Sequence, residues 1–146
     1  MHLKAIGTVH TPYTHPHDAP NQGRLSGELC TLEVFDEYAD GLKDIEQCSH
    51  LIVLYWQDRA GRDTLQTITP HGSEVHGVFA TRSPNRPNPI ALCVVELVER
   101  KGQLLKVRGV DALDGSPLLD IKPYSASLNC VENAKIGWHG EGDIKE

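Results

Sequence analysis

The sequence lacks any long hydrophobic run. Its 146 residues contain no stretch of about 18 apolar residues, the length that a membrane-spanning helix needs. The first residues, MHLKAIGTVHTPY, also lack the apolar core of a signal peptide. We therefore expect a soluble, cytoplasmic protein with no membrane partner.

Cysteine pairs and the common catalytic motifs are also missing. None of the four cysteines occurs at a Cys-x-x-Cys spacing, and Cys30 and Cys93 lie in apolar, strand-like runs. This pattern favours buried, reduced thiols over a disulfide framework or a zinc site. His15 and His17 have no further ligand cluster in the sequence, so we predict solvated histidines and no metal site.

The absence of several sequence motifs disfavours the enzyme classes that carry them. The chain has no GxGxxG after a strand, no Walker sequence, no HExxH and no nucleophile elbow. Nucleophilic catalysis has little support, because Ser83 has no obvious partner base and Cys93 lies in mid-strand. Acid pairs of the glycosidase type stay open, because carboxylates are many and no two of them are singled out.

Charge is distributed unevenly along the chain, whose net charge is −6. Residues 1–81 hold five Lys/Arg and eleven Asp/Glu, and residues 109–146 hold three and seven. Residues 82–108 instead hold six Lys/Arg and two Asp/Glu, which gives a net charge of +4. We call residues 82–108 the basic segment. It suits an anionic partner, although a pI near 5.7 argues against general nucleic-acid binding.

Short strand-like runs make up most of the chain. Strands are predicted at 3–9, 27–35, 51–56, 77–80, 90–97, 103–110 and 118–124. The run 51–56, LIVLYW, is the most apolar and is predicted to be buried on both faces. Residues 60–74 are predicted to be a polar excursion. A short helix with Asp36 as its N-cap is predicted, and a second short helix is predicted around 130–136. Trp138 is predicted to be exposed.

This pattern predicts a mainly β protein. Six or seven short strands without βαβ alternation are typical of a small antiparallel β-barrel, here with short helices and a C-terminal tail. We expect a single domain over residues 1–146, with a core of roughly 3–124 and a tail at 125–146.

Three polar loops carry the residues best suited to bind a ligand. The loop at 19–24 offers amide groups, and the loop at 81–89 offers cations. The loop at 111–117 offers carboxylates and a glycine. In a small barrel such loops can converge at one mouth and hold a zwitterionic or adenine-bearing ligand. The loop 81–89, TRSPNRPNP, is predicted to be a stiff crossing because of its three prolines. A solvated proline-rich connection is the alternative.

The run 77–90, GVFATRSPNRPNPI, closely resembles the signature of the TsaA-like family, which includes the TrmO-type tRNA methyltransferases. The resemblance covers roughly residues 3–124. It implies transfer of a methyl group from S-adenosylmethionine to N6 of threonylcarbamoyladenosine beside the tRNA anticodon. It also implies a small β-barrel and a homodimer with the cofactor near the subunit interface.

The resemblance has departures. Ala91 stands where the family usually has glycine, and Cys93 where it often has serine. The chain is also similar to the short form, without the further C-terminal domain that many bacterial members carry.

Carried over by motif, the resemblance implies a set of cofactor contacts: Pro20, Asn21, Gln22, Gln57, Asp58, Arg82, Leu92 through its backbone, Asp114, Gly115, Ser116 and Pro117. Arg82 is expected to pair with the cofactor carboxylate, and Asp114 with its amino or ribose hydroxyl groups. Arg86 and Asn88 are expected to shape the loop, the interface or the RNA face. The polar residues after Trp56 fit a structural alternative equally well, a surface ion pair between Asp58 and either Arg59 or Arg62.

No catalytic base is singled out, and Asp58 and Tyr124 are the candidates. The basic segment is expected to form part of a platform for the anticodon loop of tRNA. Two alternatives stay open: a methyltransferase with another small-molecule or nucleoside acceptor, and a non-enzymatic S-adenosylmethionine-binding module.

Overall fold

Six antiparallel strands close into a barrel in the computed structural model, which describes residues 1–20, 27–69 and 72–138. The strands along the chain are β1 (Gly7–His10), β2 (Leu29–Val34), β3 (His50–Trp56), β4 (Gln66–Ile68), β5 (Val75–Gly77), β6 (Ile90–Lys101), β7 (Leu104–Arg108) and β8 (Ser116–Pro123). The barrel order is β1-β2-β7-β6-β3-β8, and β4 and β5 form a separate two-stranded ribbon. The prediction of a mainly β, small antiparallel barrel is confirmed.

Among residues 1–20, 27–69 and 72–138, helical structure is limited to short segments. These are three 3-10 segments, Asp36–Leu42, Ile45–Gln47 and Val78–Ala80, and one turn of α-helix, α1 (Ala126–Asn129). Within the described residues, no helix combines the length and the apolar character that crossing a bilayer requires.

The barrel interior is filled by side chains that alternate along each strand. Leu32 of β2, Val53 of β3 and Leu118 of β8 are fully buried, as expected for the inward positions of a period-2 pattern. The outward side chains of β3, Ile52, Leu54 and Trp56, are only half-buried. The prediction that this strand is buried on both faces is therefore wrong, because the outside of a closed barrel faces solvent.

Gly7 lets β1 close the barrel. It pairs with Val34 of β2 and with Leu118 of β8. A Cβ atom at this position would lie 1.9 Å from the carbonyl oxygen of Glu33. Since that neighbour is backbone, only glycine fits.

A β-bulge in β8 lies next to the end of β3. Leu54 pairs with Asp120, but Tyr55 pairs with Leu118, so Leu119 is the extra residue. Bulges increase strand twist and redirect the side chains beside them. This one lies at the end of the barrel where the polar loops gather.

Some local predictions are wrong. Residues Val78–Ala80 form a 3-10 turn, not the end of a strand, and the predicted excursion at 60–74 contains β4. Asp36 does not cap its segment. Phe35 holds the N-cap position, and Asp36 Oδ1 accepts a hydrogen bond from Gln103 Nε2 at 2.6 Å. The C-terminal helical turn occurs at Ala126–Asn129, not around 130–136.

The cysteines and the tail also differ in part from expectation. All four cysteines are unpaired, and Cys30 and Cys93 are buried as predicted, but Cys48 is half-buried and Cys130 is exposed. Trp138 is half-buried and not exposed, because its ring stacks on His76 of β5 with centroids 4.2 Å apart. The tail is therefore held against the ribbon.

Candidate functional site

A cleft of about 950 Å³ opens at the end of the barrel where β3 ends and β6 begins. The described loops that form it lie far apart in the sequence. The residues that line it come from segments 16–20, 55–60, 67–69, 81–86, 90–92 and 111–116. The convergence predicted for the three polar loops is confirmed for their described residues.

The loop at 81–89 is fastened to the loop that follows β3. Gly61 N donates to Asn85 Oδ1 at 2.9 Å, and Arg86 N donates to Gly61 O at 3.1 Å. Gln57 N donates to Pro89 O at 2.9 Å. These three hydrogen bonds join the two segments, which contain prolines and glycines. They also satisfy backbone polar groups of both segments.

Arg62 strengthens the same connection with its side chain. Its Nε donates to Pro87 O at 2.8 Å, and its Nη2 donates to Asn88 Oδ1 at 3.1 Å. The guanidinium also lies over the Trp56 ring, 5.1 Å from the centroid. Arg62 therefore acts as a clamp between β3 and the loop, and Asn88 shapes the loop.

Arg86 organises the interior of the 81–89 loop. Its Nη1 donates to the carbonyl oxygens of Thr81 and Ser83, both at 3.1 Å, and its Nη2 donates to Val78 O at 2.5 Å. A planar guanidinium suits this multiple contact, because it presents five donors in a fixed geometry. The prediction that Arg86 shapes the loop is confirmed.

Arg82 occupies a different environment in the same loop. It is exposed, and it lines the cleft together with Ser83 and Pro84. Both arginines of the signature line the cleft, and Arg86 in addition holds the loop through its hydrogen bonds to carbonyl oxygens.

The 111–117 loop is held mainly through its backbone. Asp114 N donates to Tyr13 O at 2.7 Å, and Arg59 Nη2 donates to Asp114 O at 2.7 Å. The Asp114 side chain accepts from Thr11 N at 3.0 Å. Gly115 has φ +83°, a left-handed conformation that favours glycine, and its N–H donates to Val9 O at 2.9 Å.

A buried tyrosine contacts a carboxylate in the wall of the cleft. Tyr55 OH donates to Asp111 Oδ1 at 2.8 Å, and Tyr55 is only 3% exposed. Burial, together with the neighbouring Asp111 charge, raises the pKa of Tyr55 far above its usual range, so its hydroxyl stays protonated. Burial likewise raises the pKa of the adjacent Cys93 thiol, which makes it inert.

Sequence reasoning missed Tyr55, and it named Asp111 only as part of its loop. Tyr55 lies in the most apolar run of the chain and was counted with that run as core. The available signal was its hydroxyl, because a buried tyrosine hydroxyl generally has a hydrogen-bond partner.

The structure places the predicted site residues in three groups. Six line the cleft: Pro20, Gln57, Asp58, Arg82, Leu92 and Ser116. Asp114, Gly115 and Pro117 flank it without being among the residues that line it. Asn21 and Gln22 lie outside the described residues. Ala91, the departure from the family pattern, also lines the cleft.

The two candidate bases are separated. Asp58 lines the cleft, and its Oδ1 accepts from Arg59 Nε at 3.3 Å, the surface pair that the sequence allowed. Tyr124 follows β8 at the opposite end of the barrel, where its N–H donates to His50 O at the start of β3. Since a strand rises by about 3.3 Å per residue, the length of β3 puts Tyr124 roughly 20 Å from the cleft.

The basic segment does not form one surface. Arg82 and Arg86 lie at the cleft, but the other four basic residues lie along β6 and β7 beside carboxylates. The pairs are Arg100–Glu46 at 2.8 Å, Lys101–Glu99 at 3.7 Å, Lys106–Glu99 at 3.8 Å and Arg108–Glu96 at 2.9 Å. The positive charge of 82–108 is therefore divided and partly neutralised, and its part in a tRNA platform stays a prediction.

Metal binding has no support in the part of the chain that the structure describes. No group of three or more His, Cys, Asp or Glu side chains there could hold a metal ion.

The chain is a small closed β-barrel whose loops gather into a concave, partly apolar cleft, the type of surface at which proteins bind small molecules. Comparison with known proteins gives the family. Residues 8–130 match the tRNA-methyltransferase O N-terminal domain, and the chain belongs to this family.

Several relatives illustrate the match. Two proteins of Archaeoglobus fulgidus, named a probable S-adenosyl-L-methionine-binding protein and an S-adenosyl-L-methionine-binding protein, are 58% and 56% identical over 98% and 90% of this chain. The Escherichia coli tRNA (adenine(37)-N6)-methyltransferase is 36% identical over 93% of it. The crystal structure of TrmO from Pseudomonas aeruginosa matches 96% of the chain with a TM-score of 0.80 and 31% identity.

The chain spans only part of several relatives. It covers 39% and 94% of the two Archaeoglobus proteins, 63% of the Escherichia coli enzyme and 63% of the Pseudomonas aeruginosa structure.

Proposed function

We propose that this chain binds S-adenosylmethionine in the cleft and transfers its methyl group to N6 of an adenosine beside the tRNA anticodon, in its threonylcarbamoyl form. The observation that carries the proposal is the family match over residues 8–130, because this range contains every residue that lines the cleft. The names of the relatives, which combine S-adenosylmethionine binding with tRNA adenine methylation, support the same assignment.

The residues present fit the cofactor. A cleft of about 950 Å³ is at the upper end of the size usual for small-molecule sites. Arg82 supplies a cation for a carboxylate, while Ile90, Leu92 and Leu113 supply apolar surface for an adenine ring. Gln57 and Ser116 add hydrogen-bonding groups. S-adenosylmethionine bound here would supply a methyl group attached to a positively charged, electron-poor sulfur.

The chain's own contribution to methyl transfer is positioning. The clamped loops 57–62 and 81–89 hold the cleft wall fixed, and fixed walls align two reactants at no further entropic cost. Asp58 is the candidate that remains for accepting the proton lost by the acceptor nitrogen. Tyr55 is unsuited to that role, because burial keeps its hydroxyl protonated. Tyr124 of the same copy is too distant.

We further propose a cytoplasmic homodimer as the working form. The support is an apolar patch on the ribbon and the turn after it, beside the cleft. Leu65, Ile68, Val75 and Phe79 are all more than half exposed, and Phe79 is 81% exposed. Exposed apolar groups of this size and proximity suit a protein contact.

Two measurements test the proposal. Titration calorimetry with S-adenosylmethionine tests the cofactor, and no detectable heat at millimolar ligand would reject it. Transfer of labelled methyl groups to tRNA, compared between tRNA that carries threonylcarbamoyladenosine and tRNA that lacks it, tests the acceptor. We expect label only in the modified tRNA.

A second candidate keeps the cofactor and changes the acceptor to a small molecule or another nucleoside. The net charge of −6 and the neutralised part of the basic segment favour it, because tRNA binding profits from continuous positive surface. Label that appears in a metabolite extract and not in total tRNA would select this candidate. Cofactor binding without transfer to either fraction would indicate a binding module.

A further inference from the structure

The β4–β5 ribbon forms one wall of the cleft, yet among the described strands it pairs with none of the barrel. Thr67 and Ile68 of β4 and the adjoining Thr69 line the cleft. Each ribbon strand has three residues, and none of their side chains is buried. A two-stranded ribbon is marginally stable in water unless another element packs on it. Its position in the cleft wall therefore depends on contacts from the chain around it.

The ribbon is anchored at both ends of β4. Val78 N, just after β5, donates to Leu65 O, just before β4, at 3.0 Å. Val78 is 1% exposed, and Thr69, which follows β4, is 5% exposed. Between these anchors lies the central cross-strand pair of the ribbon, Thr67 and His76.

The central pair faces the body of the protein. Direct cross-strand partners point to the same face of a sheet, with Cβ atoms about 5 Å apart. Thr67 and His76 are both half-buried, whereas the next pair, Ile68 and Val75, is more than half exposed. Trp138 stacks on His76 with centroids 4.2 Å apart and 22° between the ring planes. The Trp138 ring therefore lies on the face of the ribbon that carries Thr67, a residue of the cleft wall.

The tail reaches this point from the far end of the barrel. Tyr124 N donates to His50 O at 3.1 Å, at the end of β3 opposite the cleft. Residues 126–137 are all exposed, and Trp138 is half-buried. The segment is thus fastened at its two ends and exposed between them. We call residues 125–138 the strap.

We propose that the strap, through Trp138 on His76, holds the ribbon in place as a wall of the cleft, and that its release weakens ligand binding. The inference rests on the proposed function for the identity of the ligand, S-adenosylmethionine. Because coupling between two equilibria is reciprocal, a ligand that binds better with the strap docked must favour docking by the same factor. Aromatic stacks shift an equilibrium by a factor of about two to ten.

The first test needs no ligand. Trp138→Ala should accelerate hydrogen exchange at the amides of 66–68 and 75–77 by about two- to tenfold, because the ribbon opens more readily. Trypsin cleavage after Lys135, in the exposed part of the strap, should accelerate similarly, because a segment fixed at both ends fits a protease poorly. Leu128→Ala removes a tail side chain that is 83% exposed and should change neither rate. Trp138→Phe, which keeps a ring for stacking, should give intermediate rates.

The second test measures the coupling with S-adenosylhomocysteine. In titration calorimetry, Trp138→Ala should weaken binding by about two- to tenfold, and Leu128→Ala should not. Saturating S-adenosylhomocysteine should slow cleavage after Lys135 in the wild-type protein by the same factor. His76→Ala should weaken binding similarly, and the double variant should be no weaker than Trp138→Ala alone, because both changes remove one contact.

Each contrary outcome has a distinct meaning. If the wild-type protein binds neither S-adenosylmethionine nor S-adenosylhomocysteine, the proposed function fails, and the exchange rates alone decide whether the strap holds the ribbon. Unchanged ribbon exchange in Trp138→Ala overturns the strap. Faster exchange with unchanged affinity overturns its control of the cleft, as does an equal effect of Leu128→Ala. Thermal unfolding identifies an unfolded variant, in which case Trp138→Phe decides.

Discussion

Two arginines four residues apart in the signature have separate roles. Arg86 donates to three carbonyl oxygens inside its own loop, whereas Arg82 is presented at the cleft. The sequence predicted that both belong to a stiff loop, and the resemblance favoured Arg82 for the cofactor. Which carbonyl oxygens surround Arg86 depends on the path of the loop, which spacing along the chain does not specify.

Arg86→Lys should destabilise the fold. A lysine ammonium is a single point donor and cannot reach three carbonyl oxygens in a fixed fork, so half-buried acceptors lose their partners. We expect the free energy of unfolding to fall by about 2 kcal/mol, measured by urea denaturation. Arg82→Lys is the matched control, and an equal loss in both variants would mean that Arg86 has no special structural role.

Arg82→Ala should weaken S-adenosylmethionine binding with little effect on stability. Because Arg82 is exposed, water screens its charge, and we expect a loss of about 1 kcal/mol, roughly fivefold in Kd. Calorimetric titration measures the change. Lys101→Ala, at the far end of β6, is the control, and unchanged affinity in Arg82→Ala would assign Arg82 to another partner.

At the scale of elements, periodicity predicted the barrel strands well and the ribbon poorly. β2 and β7 keep strict alternation of buried and exposed positions, so their positions were found to within a few residues. β4 and β5 have three residues each with no buried side chain, so no core pattern marks them. Their pairing is specified by contacts with the chain around them, which a local pattern does not contain.

The site, like the fold, was predictable only in part. Polar loops that follow apolar strands indicated the cleft, and their convergence follows from closing the barrel. The different hydrogen-bond partners of Asp111 and Asp114 were not predictable, because both residues lie in one polar turn. In the structure Asp111 accepts a hydrogen bond from Tyr55, and Asp114 accepts one from Thr11.

Gly7→Ala tests how closely β1 and β2 approach. The added Cβ would lie 1.9 Å from Glu33 O, and its nearest neighbours are all backbone atoms of Glu33 and Val34, so no side chain could move away. We expect a loss of roughly 3 kcal/mol or more in the free energy of unfolding, seen as a lowered Tm. Gly77→Ala, where a Cβ would have nothing within 4 Å, should be nearly neutral. Equal stability of the two variants would contradict the register of β1.

At the scale of the whole molecule, charge is arranged in two zones. The acidic background is interrupted at the cleft, where Arg59, Arg62, Arg82 and Arg86 cluster around the loops, whereas the far basic residues are paired. The net charge of 82–108 was correct, but the count along the sequence did not show that two of its six basic residues, Arg100 and Lys101, lie at the far end of β6, roughly 30 Å from its start.

Stability should fall at alkaline pH because of the buried thiols. Burial raises the pKa of Cys30 from 9.0 to about 11 and that of Cys93 further, so both stay neutral in the folded chain while the unfolded chain ionises. The unfolded state then binds fewer protons between pH 9 and 11, and the free energy of unfolding decreases as pH rises through that range. Urea denaturation at pH 8 and 10 checks the trend.

Cys30→Ala provides the control for the alkaline trend. The variant is expected to be less stable at pH 8 because it leaves a small cavity, but it should lose less on going to pH 10. An identical pH dependence in both proteins would show that Cys30 does not carry the effect.

The pairing of β8 with both β1 and β3 has a consequence during protein synthesis. Until Ser116–Pro123 has left the ribosome, the nascent chain holds two unpaired strand edges and no closed core. Folding must then join the earliest strand to the latest, a long-range contact that closes slowly. The barrel therefore closes only after Ser116–Pro123 has emerged, and until then the unpaired edges of β1 and β3 are exposed to pairing with other chains.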